Sequence, residues 1–416
     1  MFTSKKHQHG RSSIKARLCS LLAFAALIGA SIPARAEDQT QVGERILVVG
    51  RRLFDGVDFQ SEKAILIEGP VIVDVGPREV LKERASRIID LGDATILPGF
   101  IELHGHSLVR NLPQEVILRH GITTLRDVGG PLSPPTGGIG RLRVLTAGPI
   151  ITVQQGYPLS VFGKGYLAET VQTAEDAKAL VRKLVQGGAA VIKVALEPGG
   201  EPGAPWSHEH DGAVPPPWPI ASVDIIAAVV EEAHRLHRIV TAHVSENKGA
   251  SIALAAGVDE WAHVPCSELD EALVQQAVKQ KVKIVTTLDT LSSCQGAFAN
   301  ARELAKAGAS FLYGAEIAHL EIPWGIDARE LQLMRHMAGM SDVEILRSAT
   351  SEAGKELGLA PLGALRAGAP ADLIAVKGDP RTNFKVLEYP DLVISGGKTV
   401  VDNFASPRSP ADLPPP

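Results

Sequence analysis

Leu97-Pro98-Gly99-Phe100-Ile101-Glu102-Leu103-His104-Gly105-His106 is the stretch on which the reading of this 416-residue chain turns. Its apolar run reads as a buried strand, and two histidines follow one residue apart. Residues i and i+2 of a strand point to the same side. His104 and His106 therefore leave the strand end on one face, which is the two-nitrogen geometry a divalent metal needs. A His-x-His pair alone arises by chance in loops and exposed strands, so the weight falls on whether the chain supplies further ligands.

Downstream the chain repeats strand, loop and helix. Strands are expected at 101–104, 123–128, 143–147, 191–194, 240–244, 260–264, 282–288 and 311–314. Helices are expected at 173–186, opened by a Thr-x-x-Asp capping signal, and at 222–237, 270–279, 297–307, 329–337 and 342–357. Eight strands alternating with helices predict a (β/α)8 TIM barrel. A doubly wound open sheet is the rival, but no Gly-x-Gly-x-x-Gly opens the first helix. Short β-runs precede the barrel at 46–49, 64–67 and 71–75 and follow it at 372–376, 391–395 and 399–401. They are expected to form a small β-sandwich domain from both chain ends, 37–96 and 365–403, around a barrel at 97–364. The Pro-rich segment 404–416 reads as a disordered tail.

Residues 1–36 carry a leader pattern. Lys5, Lys6, Arg11, Lys15 and Arg17 precede an apolar run from Leu18 to Ile32, and Ala34-Arg35-Ala36 is a small-x-small cleavage site. The run is shorter than the ~20 residues that span a bilayer, so a cleaved signal peptide is expected rather than a membrane anchor. The protein is then secreted, into a bacterial periplasm. Removing six Lys and Arg from 42 leaves 36 bases against 47 acids, a formal charge of −11. That balance, with no basic stripe, excludes a nucleic-acid partner.

Polar residues recur at the ends of the apolar strands. Lys193 lies in Val191-Ile192-Lys193-Val194, His243 in Thr241-Ala242-His243-Val244 and His263 in Trp261-Ala262-His263-Val264, while Glu316 follows the last strand. Each has a bland reading alone, a satisfied core histidine or a helix cap. A lysine in such a strand is harder to excuse, because burying an ammonium is costly. In a barrel these four converge at one mouth with His104 and His106, six residues in all.

At this point the chain resembles the metal-dependent amidohydrolase superfamily, and most nearly its imidazolonepropionase-like branch, which includes Xaa-Pro dipeptidases. The resemblance covers about 44–403. It rests on the opening stretch, on Gly121-Ile122-Thr123-Thr124-Leu125-Arg126-Asp127-Val128, on the Lys193, His243 and His263 strands, on Ala349 to Leu359 and on Gly368 to Val376. It implies that His104 and His106 bind one metal, that His243 and His263 bind a second, and that a carbamylated Lys193 bridges them. Zinc is the expected metal, since imidazole and carboxylate oxygen suit it, and manganese or cobalt also fits. The resemblance places an aspartate where this chain has Glu316, one methylene longer; Asp327 reads as a helix start instead. It implies a binuclear hydrolase that cleaves the C–N bond of a dipeptide, cyclic amide or related small substrate by a metal-bound hydroxide, with Glu316 as acid–base, aided by His263 and Lys193. The alternative is a metal-containing binding protein, or a catalytically impaired relative, because of Glu316. The expected partners are that small substrate and, in a homo-oligomer, copies of the chain.

The loops 129–140 and 197–219 are expected to emerge beside the site, and either could serve as a lid. His208, Glu209, His210 and Asp211 in the second loop read as a solvated polar segment. Arg126 is either a substrate contact or a structural partner of Asp127. Tyr157, Tyr166 and Tyr313 are candidate substrate contacts. Cys266 and Cys294 follow neighbouring strands, so a disulfide and two free, packed thiols are both open.

Overall fold

The computed structural model describes residues 44–163, 166–202, 214–294, 296–319 and 321–405. The expected leader, His208, Glu209, His210 and Asp211 of the second loop, and nearly all of the Pro-rich tail lie outside the described residues.

The opening stretch links two sheets. Ala94–Pro98 pairs antiparallel with Leu373–Lys377, with Ile374 opposite Leu97. The chain then passes through Gly99 into Phe100–Gly105, which pairs in parallel with Ile122–Asp127. A side chain could not make this passage, because a Cβ on Gly99 would lie 2.2 Å from Thr123 Cγ2.

Parallel strands make up the larger part of the fold. Arg143–Thr146, Ile122–Asp127 and Phe100–Gly105 form one three-stranded sheet. A seven-stranded sheet runs in the order Ala168–Thr170, Ile150–Thr152, Ile192–Leu196, Val240–Val244, Glu260–Trp261, Lys283–Val285, Ser310–Leu312. Helices connect most of the strands, as parallel pairing requires, and cover them, which is why the strands read as unbroken apolar runs. Ala177, Val181 and Leu184 of Ala174–Gln186 pack in one cluster with Ile192, Val194, Val240 and Ala242. An isolated parallel bridge pairs Gly105 with Ile317, beyond the last strand, and His106 N donates to Ile317 O at 2.8 Å.

The expected third strand forms as Arg143–Thr146, and an unexpected strand, Ile150–Thr152, follows it. Arg143–Thr146 pairs with Ile122–Asp127, whereas Ile150–Thr152 pairs with Ile192–Leu196. Between them Gly148 takes φ +75°, a turn the alternation of apolar residues does not reveal. The expected helix 342–357 is also two helices, Asp342–Ser348 and Ser351–Glu356. Ala349 O accepts from Ile101 N at 2.8 Å, so a carbonyl that would continue the helix is bound to the histidine-bearing strand instead. The capping signal at Thr173 forms as read, a capping box with Asp176.

Strands from both chain ends share a six-stranded sheet, Lys398–Asp402, Leu392–Ser395, Leu373–Lys377, Ala94–Pro98, Arg52–Phe54 and Phe59–Ser61. A four-stranded sheet holds Val71–Pro77, Lys63–Glu68, Arg45–Val49 and Arg87–Asp90. Ile46, Val48, Ile65 and Ile67 of the second share one buried cluster with Ile96, Leu373, Ala375 and Ile394 of the first. Among the described residues no helix is long and apolar enough to cross a membrane.

Candidate metal centre

The two histidines of the opening stretch meet as their spacing predicts. Their Nε2 atoms stand 3.3 Å apart. His104 Nδ1–H donates to Ala262 O at 2.8 Å, and His106 Nδ1–H reaches Gly129 O at 3.4 Å. A carbonyl only accepts, so each outer nitrogen carries the proton and each Nε2 keeps its lone pair. The strand register shifts between Glu102 and Gly105, and such irregularities re-aim side chains at strand ends. Glu102, fully buried, ties this end down: its carboxyl accepts from His104 N at 2.7 Å and from Ala315 N at 3.1 Å.

Glu316 completes the group. Its Oε1 lies 3.9 Å from His104 Nε2 and 3.8 Å from His106 Nε2. Two imidazole lone pairs and a carboxyl oxygen thus converge, an arrangement that a cation satisfies. The other Glu316 oxygen, 3.8 Å from His263 Nδ1, has no hydrogen-bond partner. Glu316 holds φ 65°, and nearby Thr287 and Ala318 hold φ 44° and 99°. Non-glycine residues in this region cost backbone energy and cluster at functional sites. Thr287 anchors a histidine, since its hydroxyl is 2.9 Å from His263 Nδ1.

The remaining expected residues are in the same place. The His104 ring stands 4.5 Å from the His263 ring, and the His243 ring stands 4.8 Å from it. Lys193 is 1% exposed. Burial, with Arg126 nearby, holds its amine down to about 7 against the opposing pull of Glu316. Burial pushes Glu316 up to about 7, opposed by Lys193. Burial, and then Lys193, holds His106 down to about 4 and His104 well below its ordinary value. Burial likewise lowers His243 and His263. All four imidazoles are therefore neutral near pH 7, the form that binds metal.

Three expectations need correction. Arg126 pairs with Glu260, at 3.2 and 2.5 Å, and not with Asp127; Asp127 instead accepts from Ser107 Oγ and Leu108 N. Tyr313 is buried, and its hydroxyl accepts from Asp327 N at 3.0 Å, so it belongs to the scaffold. Tyr166 is exposed, whereas Tyr157 stacks on His243 at 4.6 Å. Of the two states open to the cysteines, Cys266 and Cys294 adopt the disulfide, with Cα atoms 5.0 Å apart.

Asp327 is the N-cap of Ala328–Met337, its Oδ1 accepting from Arg329 N. Asparagine caps as well as aspartate, whereas alanine costs about 1 kcal/mol. Asp327→Asn should therefore keep kcat, and Asp327→Ala should lower only the unfolding free energy. A collapse of kcat in the Asn variant, measured at saturating substrate, would move the acid–base role from Glu316 to Asp327.

Glu102, Thr287 and Glu197 went unassigned in the sequence. Glu197, 3.3 Å from His243, lies four residues past Lys193 at the end of an apolar strand. It breaks the apolar pattern there just as Lys193 does.

The model of the amidohydrolase family matches residues 95–400. Over 292 residues the chain is 28% identical to the ochratoxinase of Aspergillus niger, covering 63% of this chain and 57% of the relative. The chain thus spans little more than half the length of that curated relative. The crystal structure of the A. niger ochratoxinase is similar at TM-score 0.70 and 21% identity, over 86% of this chain and 96% of that one. A prolidase complexed with N-methylphosphonate-L-proline is similar at TM-score 0.72 and 23% identity, over 86% and 100%. A Xaa-Pro dipeptidase with bound methionine is similar at TM-score 0.70 and 23% identity, over 86% and 99%. These three likenesses speak to the fold.

Proposed function

The chain belongs to the amidohydrolase family, a family of hydrolases, and we propose that it hydrolyses the C–N bond of a small amide at a binuclear metal site. The substrate class is a dipeptide, a cyclic amide or a related compound. The observation that carries this reading is the convergence of His104 Nε2, His106 Nε2 and Glu316 Oε1. In this reading His104 and His106 hold one ion and His243 and His263 the other, with zinc as the metal. When bound, such a pair lowers the pKa of water and polarises the scissile carbonyl. Glu316 accepts the proton of the attacking water and returns it to the leaving nitrogen. His263 faces the developing oxyanion.

Lys193, as a carbamate, would supply oxygen ligands to the ions. Its amine, held down to about 7 by burial, is substantially neutral at pH 7 and can add CO2, with loss of one proton. The neutral fraction rises with pH, so carbamate formation is favoured as pH rises through 7. Chelator-treated protein should lose turnover, and zinc with bicarbonate should restore it as two equivalents bind. Recovery should be faster at pH 8 than at pH 6. Full amide hydrolysis by protein stripped of metal would end the proposal. The reach of Glu316 into the site supports turnover over the binding-only alternative.

The same reading joins the parallel strands into one closed (β/α)8 barrel, supported by the Gly105–Ile317 bridge. It places the two other sheets in one β-sandwich, supported by their common buried cluster. Export after cleavage at Ala36 belongs to the proposal too. The Cys266–Cys294 disulfide supports it, since such bonds persist in oxidising compartments. The exported protein should begin at Glu37 by N-terminal sequencing.

A further inference from the structure

We propose that Glu197 is the positioning residue of His243, holding Nε2–H toward its carboxylate so that Nδ1 is the nitrogen offered to the second metal. The inference rests on the two-metal reading above. Glu197 directly follows the strand Ile192–Leu196, and its side chain is fully buried. Gly199 N donates to Oε1 at 2.7 Å and fixes the carboxylate. Oε2 then stands 3.3 Å from His243 Nε2. The contact is close but not aligned as a hydrogen bond.

The ring is confined on a second side. Tyr157 stacks on His243 at 4.6 Å and 25°, and Trp218 stacks on Tyr157 at 6.0 Å and 29°. Trp218 is itself tied down, its N donating to Pro198 O at 2.8 Å and its Nε1 to Val214 O at 2.6 Å. Tyr157 O accepts from Thr152 Oγ1 at 2.6 Å. His243 thus meets an aromatic face and a carboxylate, and its orientation is opposite to that of His104 and His106, whose Nδ1 atoms are anchored outward.

A carboxylate on the outer N–H of a ligating histidine fixes its tautomer and raises the basicity of the inner nitrogen. That accounts for an acid at the end of an otherwise apolar strand, where a buried oxygen without a partner is costly. The Glu246 side chain touches Glu197.

The test compares wild type with Glu197→Gln and Glu197→Leu. Each is stripped of metal and titrated with zinc in bicarbonate buffer against a chromophoric chelator, and bound ions are counted by mass spectrometry. Tight binding of the first ion should persist. The second should weaken by about 10–100-fold in the Leu variant, and less in the Gln variant, whose amide oxygen still accepts. Thermal melts of the metal-free proteins show whether the Leu variant folds; if it does not, the Gln variant decides alone. Second-ion affinity equal to wild type overturns the role of Glu197 and leaves the two-metal reading standing. A wild type that binds fewer than two ions overturns both.

Discussion

Glu316→Gln should lower kcat about 10³-fold, the middle of the range for general acid–base catalysis, while the protein keeps its metal. The carboxyl makes no short hydrogen bond to the histidines, at 3.8 and 3.9 Å, so the amide breaks no anchor. In the proposed two-metal reading, four imidazoles and Lys193 remain to hold metal. What is lost is a group that can take and return a proton, held by burial at about 7, where acid–base exchange at neutral pH is most effective. Glu316→Asp keeps the charge but withdraws it by one methylene, so its loss should fall between those of wild type and the Gln variant. Steady-state rates on a dipeptide and lactam panel, with metal content measured on the same samples, decide the matter. Turnover within tenfold of wild type in Glu316→Gln would remove this residue from the mechanism.

The centre was legible because its residues break the pattern of their strands. A histidine or lysine in an apolar run stands out, and parallel strands bring such breaks to one end of the sheet. His104 and His106 needed only the two-residue period. The missed residues are those whose role depends on tertiary partners. Nothing local marks Thr287 as the anchor of His263, because that contact joins two strands 24 residues apart. Arg126 shows the same limit. Its neighbour Asp127 was the obvious partner, but adjacent strand residues face opposite sides, and the true partner lies 134 residues away. The extra strand Ile150–Thr152 and the split helix are hidden for a related reason. Each break is set by a backbone group bonded elsewhere, and apolar periodicity carries no record of that.

Glu260→Gln should cost the metal-free protein about 3–5 kcal/mol of stability, the range for breaking a buried ion pair by removing one partner. Arg126 is 1% exposed and Glu260 0%. The guanidinium donates to both carboxylate oxygens, and its Nε donates to Leu103 O at 2.7 Å. Glutamine has one acceptor oxygen and no charge, so a buried cation is left uncompensated. Replacing both members with apolar groups of similar size, Arg126→Met with Glu260→Leu, removes the charge altogether and should be far less costly than Glu260→Gln alone. The pair also reaches the metal centre. Arg126 lowers the Lys193 amine and Glu260 raises it, so losing Glu260 alone leaves Arg126 to hold Lys193 lower still. The strand carrying His104 loses support as well, because Leu103 O depends on the position of the same guanidinium. Denaturant unfolding of wild type, Arg126→Met, Glu260→Leu and the double variant yields the coupling energy, with Glu260→Gln measured beside them. A Glu260→Gln loss below about 1 kcal/mol would put the pair in the range of a surface salt bridge and deny it any role in fixing the strands around the site.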